Sequence, residues 1–208
     1  IGQPLQDGQT DPLLAMNRGF GDLLHALCAL PQLLVCRVDG AAMGGGFGLV
    51  CCADHVVATA RSVLGTPEVT LGLPPAQIAP FVWQRLGDAV ARTCLLSGVR
   101  WDAAQAQAAG LVNSVVPDDA LDAAVADAVR TWRRAAPGAV AATKQLLRRV
   151  RATVHSRKNC NPHNHWRVSA RKRNSSGASS SCGTALNFMM VRPLMPQRSK
   201  SPLITSRS

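Results

Sequence analysis

The sequence lacks the features that mark membrane-spanning, exported and metal-binding proteins. It holds no run of roughly 18 apolar residues and no charged-then-apolar leader, so it predicts neither a membrane span nor a signal peptide. Its seven cysteines form no Cys-x-x-Cys pair, and four of the first five lie in apolar runs. Such cysteines are typical of small buried side chains in a reducing compartment. We therefore expect a cytoplasmic protein, and because the chain begins at Ile1 we expect its true N-terminus to lie upstream.

Metal ligands are also scarce. A group that could bind a metal ion consists of Cys160, His163 and His165, with His155 nearby. The sequence around these residues has no apolar framework that would hold such a site together. We expect no metal site.

Acidic residues are absent from the end of the chain. Residues 1–150 hold 12 Lys+Arg and 12 Asp+Glu, whereas residues 151–208 hold 11 Lys+Arg and no acid, so the net charge of +11 belongs to this tail. The tail has no sustained apolar period, and such a composition buries too little apolar surface to offset the entropy of ordering. We expect a basic, largely disordered or out-of-frame extension. The alternative is a nucleic-acid-binding tail, but its aromatic residues are only Trp166 and Phe188.

Residues 1–150 are long enough for one domain with a sizeable core. Apolar spacing of three and four predicts helices over residues 11–30, 81–86, 88–96, 102–109, 118–135 and 138–150. Short apolar runs predict strands over residues 33–38, 55–60, 62–65 and 111–116, with an irregular turn at 66–68 and a loop at 71–80. Strands that alternate with helices in this way indicate an α/β sheet with crossover helices.

Three consecutive glycines, Gly44, Gly45 and Gly46, separate the first strand from an apolar helix predicted over residues 49–53. Glycines allow a tight turn and a close approach of a ligand to the main chain. The first N–H groups of a helix have no partner inside it, and the positive end of the helix dipole favours a negative charge there. The turn is therefore suited to a phosphate or to a developing oxyanion, and a plain tight turn is the alternative.

Four segments in order resemble the enoyl-CoA hydratase/isomerase (crotonase) superfamily. They are VDGAAMGGG at 38–46, TPEVTLGL at 66–73, LSG at 96–98 and AQAAGLV at 106–112. The resemblance covers residues 20–150 and implies a partial spiral of ββα turns that binds an acyl-CoA substrate. Coenzyme A is then part of the substrate, and no separate cofactor is implied.

The resemblance also implies roles for individual residues. In the family two backbone N–H groups stabilise a thioester enolate, and one of these donors matches Gly45. The second donor comes from an upstream segment of the type Ala-Gly-x-Asp, which residues 1–8 do not match. Family hydratases place two glutamates around a water. The downstream glutamate matches Glu68, whereas the upstream position is Gly48, which has no carboxylate.

Other polar residues of the domain receive structural interpretations. We interpret His25 and His55 as structural and Asp54 as a helix-end or turn residue. For Glu68 the alternative is an ordinary exposed turn residue.

The loop PPAQIAP at residues 74–80 is similar to the branch of the family that acts on branched or isoprenoid acyl-CoA. The favoured hypothesis is an enoyl-CoA hydratase or isomerase that uses Gly45 and Glu68. The alternative is an inactive, truncated homologue that serves only as an assembly subunit. Family members are commonly homotrimers or hexamers, and we expect the altered C-terminus to weaken assembly. Neither nucleic acid nor a membrane is an expected partner.

Overall fold

Helices and strands alternate along most of the chain. The computed structural model describes residues 12–158 and 185–191, and the side chains of residues 15–150. The helices are α1 (Pro12–Ala29), α2 (Gly45–Cys51), α3 (Ala79–Ser97), α4 (Ala103–Ala108), α5 (Leu121–Trp132) and α6 (Pro137–Lys158). The strands are β1 (Leu33–Asp39), β2 (Ala41–Met43), β3 (His55–Thr59), β4 (Val63–Gly65), β5 (Arg100–Asp102), β6 (Ser114–Val116) and β7 (Ala185–Val191). Short 3-10 helices cover Pro67–Leu71 and Asp118–Ala120.

These strands form two separate sheets. The larger has the order β6-β3-β1-β7, with β6, β3 and β1 parallel, and the smaller has the order β2-β4-β5. Strands β1 and β3 therefore lie in the first sheet, and their successors β2 and β4 lie in the second. Each pair leads into a helix, α2 or α3, so the chain winds as successive ββα turns. This arrangement confirms the predicted partial crotonase-like spiral.

Strand β1 is covered on both faces, because its side chains alternate between two cores. Leu34, Cys36 and Val38 belong to the main core beneath α2 and α3. Leu33 and Val35 point the other way and pack with Leu121 and Val125 of α5. Burial of both faces explains why this strand is a continuous apolar run in the sequence.

Several predicted elements differ from the structure. The glycine-rich helix begins at Gly45 and not at residue 49, and residues 67–71 form a 3-10 helix in place of an irregular turn. Gly87, with φ 74° and ψ 173°, is not helical, so α3 consists of two helical segments that are separated there, as the sequence predicts. Strands β2 and β5 were not predicted, because three residues are too short to show a period.

The predicted tail contains two ordered segments. Helix α6 continues past the predicted boundary at residue 150 and ends at Lys158, although the sequence predicts no regular structure there. Residues 185–191 form β7, which pairs antiparallel with β1 from Leu33↔Val191 to Asp39↔Ala185. The rest of the tail lies outside the described residues. In the described part of the chain, no helix is long and apolar enough to cross a membrane.

Asp102 is the N-cap residue of α4, as the sequence predicts. Its carboxylate accepts the N–H of Gln105 at 2.7 Å, and the side-chain oxygen of Gln105 accepts the N–H of Asp102 at 3.0 Å. We expect Asp102→Ala to lower the free energy of unfolding by about 1 kcal/mol, because a helix N–H loses its partner. Asp102→Asn keeps an acceptor and is the matched control. Urea unfolding measures both, and equal losses in the two variants would contradict the capping role.

Candidate active site

The glycine turn and Glu68 meet at one edge of the smaller sheet. Strands β2 and β4 are parallel neighbours, with Met43 opposite Gly65, so their carboxyl ends lie side by side. Gly44 follows β2 directly, and its N–H donates to the carbonyl of Gly65 at 2.8 Å. Glu68 comes three residues after the end of β4. The structure therefore brings together the two segments that the sequence places 20 or more residues apart.

The backbone conformation at Gly44 requires glycine, and the first N–H groups of α2 have no partner within the helix. Gly44 has φ 55° and ψ −117°, in the region that residues with a Cβ rarely occupy. The N–H of Gly48 donates to the carbonyl of Gly44 at 3.1 Å and is the first bond along the helix. The N–H groups of Gly45, Gly46 and Phe47 thus have no partner inside α2. The role of Gly45 as an oxyanion donor stays a prediction.

The carboxylate of Glu68 lies against this turn. A Cβ placed on Gly44 would lie 3.1 Å from Oε1 of Glu68. The other oxygen, Oε2, is shielded from solvent and has no hydrogen-bond partner among the described residues. A carboxylate oxygen buried without a partner is costly, and such groups often mark functional sites. Glu68 is also the only glutamate in the 208-residue chain.

The 3-10 helix that carries Glu68 is anchored at its start. Thr66 is fully buried, its hydroxyl donates to the carbonyl of Cys94 in α3 at 2.7 Å, and its N–H donates to the carbonyl of Val99 at 3.1 Å. At the far end, Gly72 has φ 74°, and the N–H of Leu73 donates to the carbonyl of Glu68 at 2.9 Å. Sequence reasoning missed Thr66, although a threonine before Pro-Glu was a visible signal.

Position 48 has no space for a side chain. A Cβ placed on Gly48 would lie 3.0 Å from Cβ of Ile78 and closer still to its Cγ2. Ile78 belongs to the 74–80 loop and is only 3% exposed. The absence of a carboxylate at this position therefore coincides with an apolar side chain that fills its place. Sequence reasoning did not single out Ile78, because nothing in the spacing links residues 48 and 78.

Helix α1 provides the remaining wall of the turn. A Cβ placed on Gly45 would lie 3.2 Å from Cζ of Phe20. Leu24, one helical turn later in α1, is fully buried and lies 3.7 Å from the Cβ position of Gly48. The helix periodicity predicted both residues as members of one apolar face. It could not show that this face lies against the glycine turn.

Three polar residues interpreted as structural have contacts that fit this interpretation. Asp54 accepts the N–H of Leu34 at 2.8 Å and forms an ion pair with Lys144 of α6. His25 lies edge-on to Phe81, with ring centroids 5.0 Å apart. His55 lies against a tryptophan of α5, and burial lowers the pKa of its imidazole. These contacts agree with the structural interpretation, which stays a prediction.

A cavity of about 1060 Å³ lies at the other end of α2. It is lined by α1, α3 and α6 as well as Cys51, and neither Glu68 nor the glycines of the turn border it. Burial raises the pKa of the Cys51 thiol well above its ordinary value, which keeps it protonated and unreactive. Cationic groups at this cavity already have partners: Lys144 pairs with Asp54, and Arg148 donates to the carbonyl of Cys28. We therefore place the candidate chemistry at the glycine turn.

Metal ligands do not cluster in the described part of the chain, where no group of three His, Cys, Asp or Glu side chains could hold an ion. The group considered in the sequence, Cys160, His163 and His165 with His155, lies outside the residues whose side chains the structure describes.

Comparison with known proteins identifies the family of this chain. The family model described as enoyl-CoA hydratase/isomerase matches residues 5–176. The chain belongs to the enoyl-CoA hydratase/isomerase family. The match runs past residue 150, where the sequence predicts the end of the domain, and that boundary stays a prediction.

Relatives within this family are similar over part of their length. The enoyl-CoA hydratase ACTT6 of Alternaria alternata is 33% identical over 152 residues, which are 73% of this chain and 50% of the relative. The 2,3-dehydroadipyl-CoA hydratase of Escherichia coli is 36% identical over 141 residues, which are 67% of this chain and 55% of the relative. The chain thus spans about half the length of the curated relatives it matches.

Solved structures give the same result. An enoyl-CoA hydratase/isomerase from Marinobacter aquaeolei aligns with a TM-score of 0.64 at 36% identity and covers 77% of this chain and 65% of its own. AtuE of Pseudomonas aeruginosa aligns with a TM-score of 0.62 at 39% identity and covers 72% of this chain and 62% of its own. These likenesses support the ββα spiral described above.

Proposed function

We propose that this chain carries an acyl-CoA site in which the N–H of Gly45 stabilises a thioester enolate and Glu68 transfers a proton. The observation that carries the proposal is the position of Oε1 of Glu68, which lies 3.1 Å from where a Cβ on Gly44 would stand, one residue before Gly45. A donor for negative charge and a group that moves a proton are the two requirements of enolate chemistry. Membership of the family supports the same conclusion.

The proposed reaction develops its charge at the thioester oxygen. When a proton leaves the α-carbon, or when a nucleophile adds to the β-carbon of an enoyl thioester, the electron pair moves to that oxygen. A preorganised N–H there stabilises the transition state by about 3 kcal/mol, and the positive end of α2 acts in the same direction. Glu68 accepts or returns the proton at the α-carbon. Its Oε2 is shielded from solvent and has no hydrogen-bond partner among the described residues.

Hydration and double-bond migration are both compatible with one carboxylate at this turn. In migration, a single base carries a proton between the α- and γ-carbons. In hydration, the oxygen of a water bonds to the β-carbon while a proton reaches the α-carbon, and relatives named as hydratases support this reaction. The 74–80 loop leads us to propose a branched or isoprenoid acyl group.

We expect the purified protein to consume crotonyl-CoA, measured as loss of enoyl absorbance, or to convert a 3-enoyl-CoA into its conjugated isomer, measured as gain of the same absorbance. Wild-type protein and a Glu68→Gln variant are compared on both substrates, and CoA-ester binding is measured by calorimetry. Hydration is diagnosed from the 3-hydroxyacyl product. Intact binding without turnover of either substrate would contradict the proposal.

A catalytically inactive assembly subunit is the second candidate. It is supported by the absence of a carboxylate at Gly48. Homotrimers or hexamers are the assemblies that family membership suggests. Light scattering of this chain alone, and mixed with a full-length relative, distinguishes the candidates: a subunit enters mixed assemblies and adds no turnover.

A further inference from the structure

Two cysteine thiols meet where α1 lies against the carboxyl end of α2. Cys28 is in the last turn of α1, one helical turn after Leu24, and Cys52 directly follows α2. The sulfur of Cys52 lies 3.3 Å from the carbonyl oxygen of Gly48 and 3.7 Å from that of Leu24. A side-chain hydrogen bond joins the thiols of Cys28 and Cys52. Two thiols that are 24 positions apart in the sequence are therefore in direct contact.

The two thiols differ in their access to solvent. Cys52 is 6% exposed, whereas Cys28 is half-buried. Both line the cavity of about 1060 Å³ at this end of α2, which has room for a small oxidant. Arg148 donates to the carbonyl of Cys28 at 3.0 Å, so a positive charge lies close to the more accessible cysteine. Reactive cysteines are found in such electropositive, partly exposed surroundings.

This difference gives each thiol its own role in an oxidation. The hydrogen bond with Cys28 and burial raise the pKa of the Cys52 thiol, which therefore stays protonated. A protonated thiol is a poor nucleophile, so Cys52 is protected from direct reaction with an oxidant. Cys28 is the thiol that meets the oxidant first. Cys52 lies where its sulfur can bond to the oxidised sulfur of Cys28.

We propose that Cys28 and Cys52 form a redox-sensitive pair, which hydrogen peroxide converts into a disulfide. The sulfur of Cys28 bonds to one peroxide oxygen, the O–O bond breaks, and Cys28 becomes a sulfenic acid while its proton leaves with the other oxygen as water. The sulfur of Cys52 then bonds to that of Cys28, the S–O bond breaks, and the released hydroxide takes the proton of Cys52 as a second water. The two thiols lose two electrons, which reduce one peroxide to two waters. The inference is independent of the proposed function.

The test maps the disulfides of the full chain before and after treatment with hydrogen peroxide. The tryptic peptides 19–37 and 38–61 each hold two cysteines, so fragmentation of the linked peptides assigns the bond. We expect about tenfold more of the Cys28–Cys52 bond than of any other bond of either cysteine, because only closely placed sulfurs can be joined without backbone movement. Dithiothreitol should remove the bond. Oxidation of Cys28 that leaves Cys52 as a thiol would overturn the inference.

Two alanine variants provide the matched comparison. Cys51→Ala removes the neighbouring cysteine, which lines the same cavity, and should keep the link between the two peptides. Cys52→Ala should lose it. A link that survives Cys52→Ala, or one that Cys51→Ala abolishes while Cys52→Ala does not, would assign the reaction to Cys51 and overturn the inference.

Stability gives a second measurement on the same samples. We expect the oxidised protein to have a Tm higher by roughly 5–10 °C, because the bond closes a loop in the unfolded chain. Dithiothreitol should reverse this rise, and peroxide-treated Cys52→Ala should not show it. A lower Tm for the bonded protein would indicate that the bond strains α1 against α2, and would overturn the inference that the pair is preformed.

Discussion

Glu68→Gln is expected to lower kcat for enoyl-CoA turnover by about 10²–10⁴-fold, with KM and CoA-ester affinity nearly unchanged. The amide keeps the size and shape of the side chain but cannot accept a proton from the α-carbon. Since this chain has no other glutamate, no neighbouring glutamate can replace it. The measurement is steady-state kinetics beside calorimetric binding of a CoA ester.

Stability distinguishes a catalytic from a structural role for Glu68. Because Oε2 is shielded and unpartnered among the described residues, Glu68 contributes little to the fold, and we expect Glu68→Gln to keep or raise Tm. Asp119→Asn is the control, since it removes an exposed carboxylate from the 3-10 helix after β6 and should change neither kcat nor Tm. A Tm that falls together with kcat would indicate that Glu68 supports the fold, and an unchanged kcat would exclude it from the chemistry.

Gly45→Pro is expected to lower kcat by about 10²–10³-fold relative to Gly45→Ala. Proline removes the N–H that we assign to the thioester oxygen, and the first position of a helix is where proline is tolerated. Both variants place a Cβ about 3.2 Å from the ring of Phe20, so the alanine variant accounts for that contact. The difference between the two variants therefore reports the loss of the donor.

Two measurements complete the test of Gly45. Far-UV circular dichroism and Tm should be similar for the proline and alanine variants, because proline at this position removes no hydrogen bond inside α2. Binding of a CoA ester should change less than kcat, since the donor acts mainly on charge that develops in the transition state. Equal kcat values for the two variants would show that the N–H of Gly45 is not the donor.

Local elements and the pairing of Gly45 with Glu68 could be predicted from the sequence to different extents. The apolar helix after the glycines and the cap at Asp102 follow from local chemistry, because capping residues and apolar spacing act over a few neighbouring positions. The start of that helix at Gly45, four residues before the predicted start, does not. The pairing of Gly45 with Glu68 came from the resemblance of two segments. The structure gives its physical basis, which is the parallel register of β2 and β4. Strand β2 was itself invisible in the sequence, since three residues show no period.

By itself, the sequence determined the elements whose cause is local: the apolar face of α1, the buried strand β1 and the glycine turn. Only the tertiary structure decided what surrounds position 48. Ile78 contacts the Cβ position of Gly48 although the two residues are 30 positions apart. The prolines of the 74–80 loop exclude regular structure, but they do not predict which part of the fold the loop packs against. A missing carboxylate is visible in the sequence. Whether an aliphatic side chain fills its place depends on how α1, α2 and the loop pack. Packing between segments that are distant in the chain produces no residue spacing that could be recognised in the sequence.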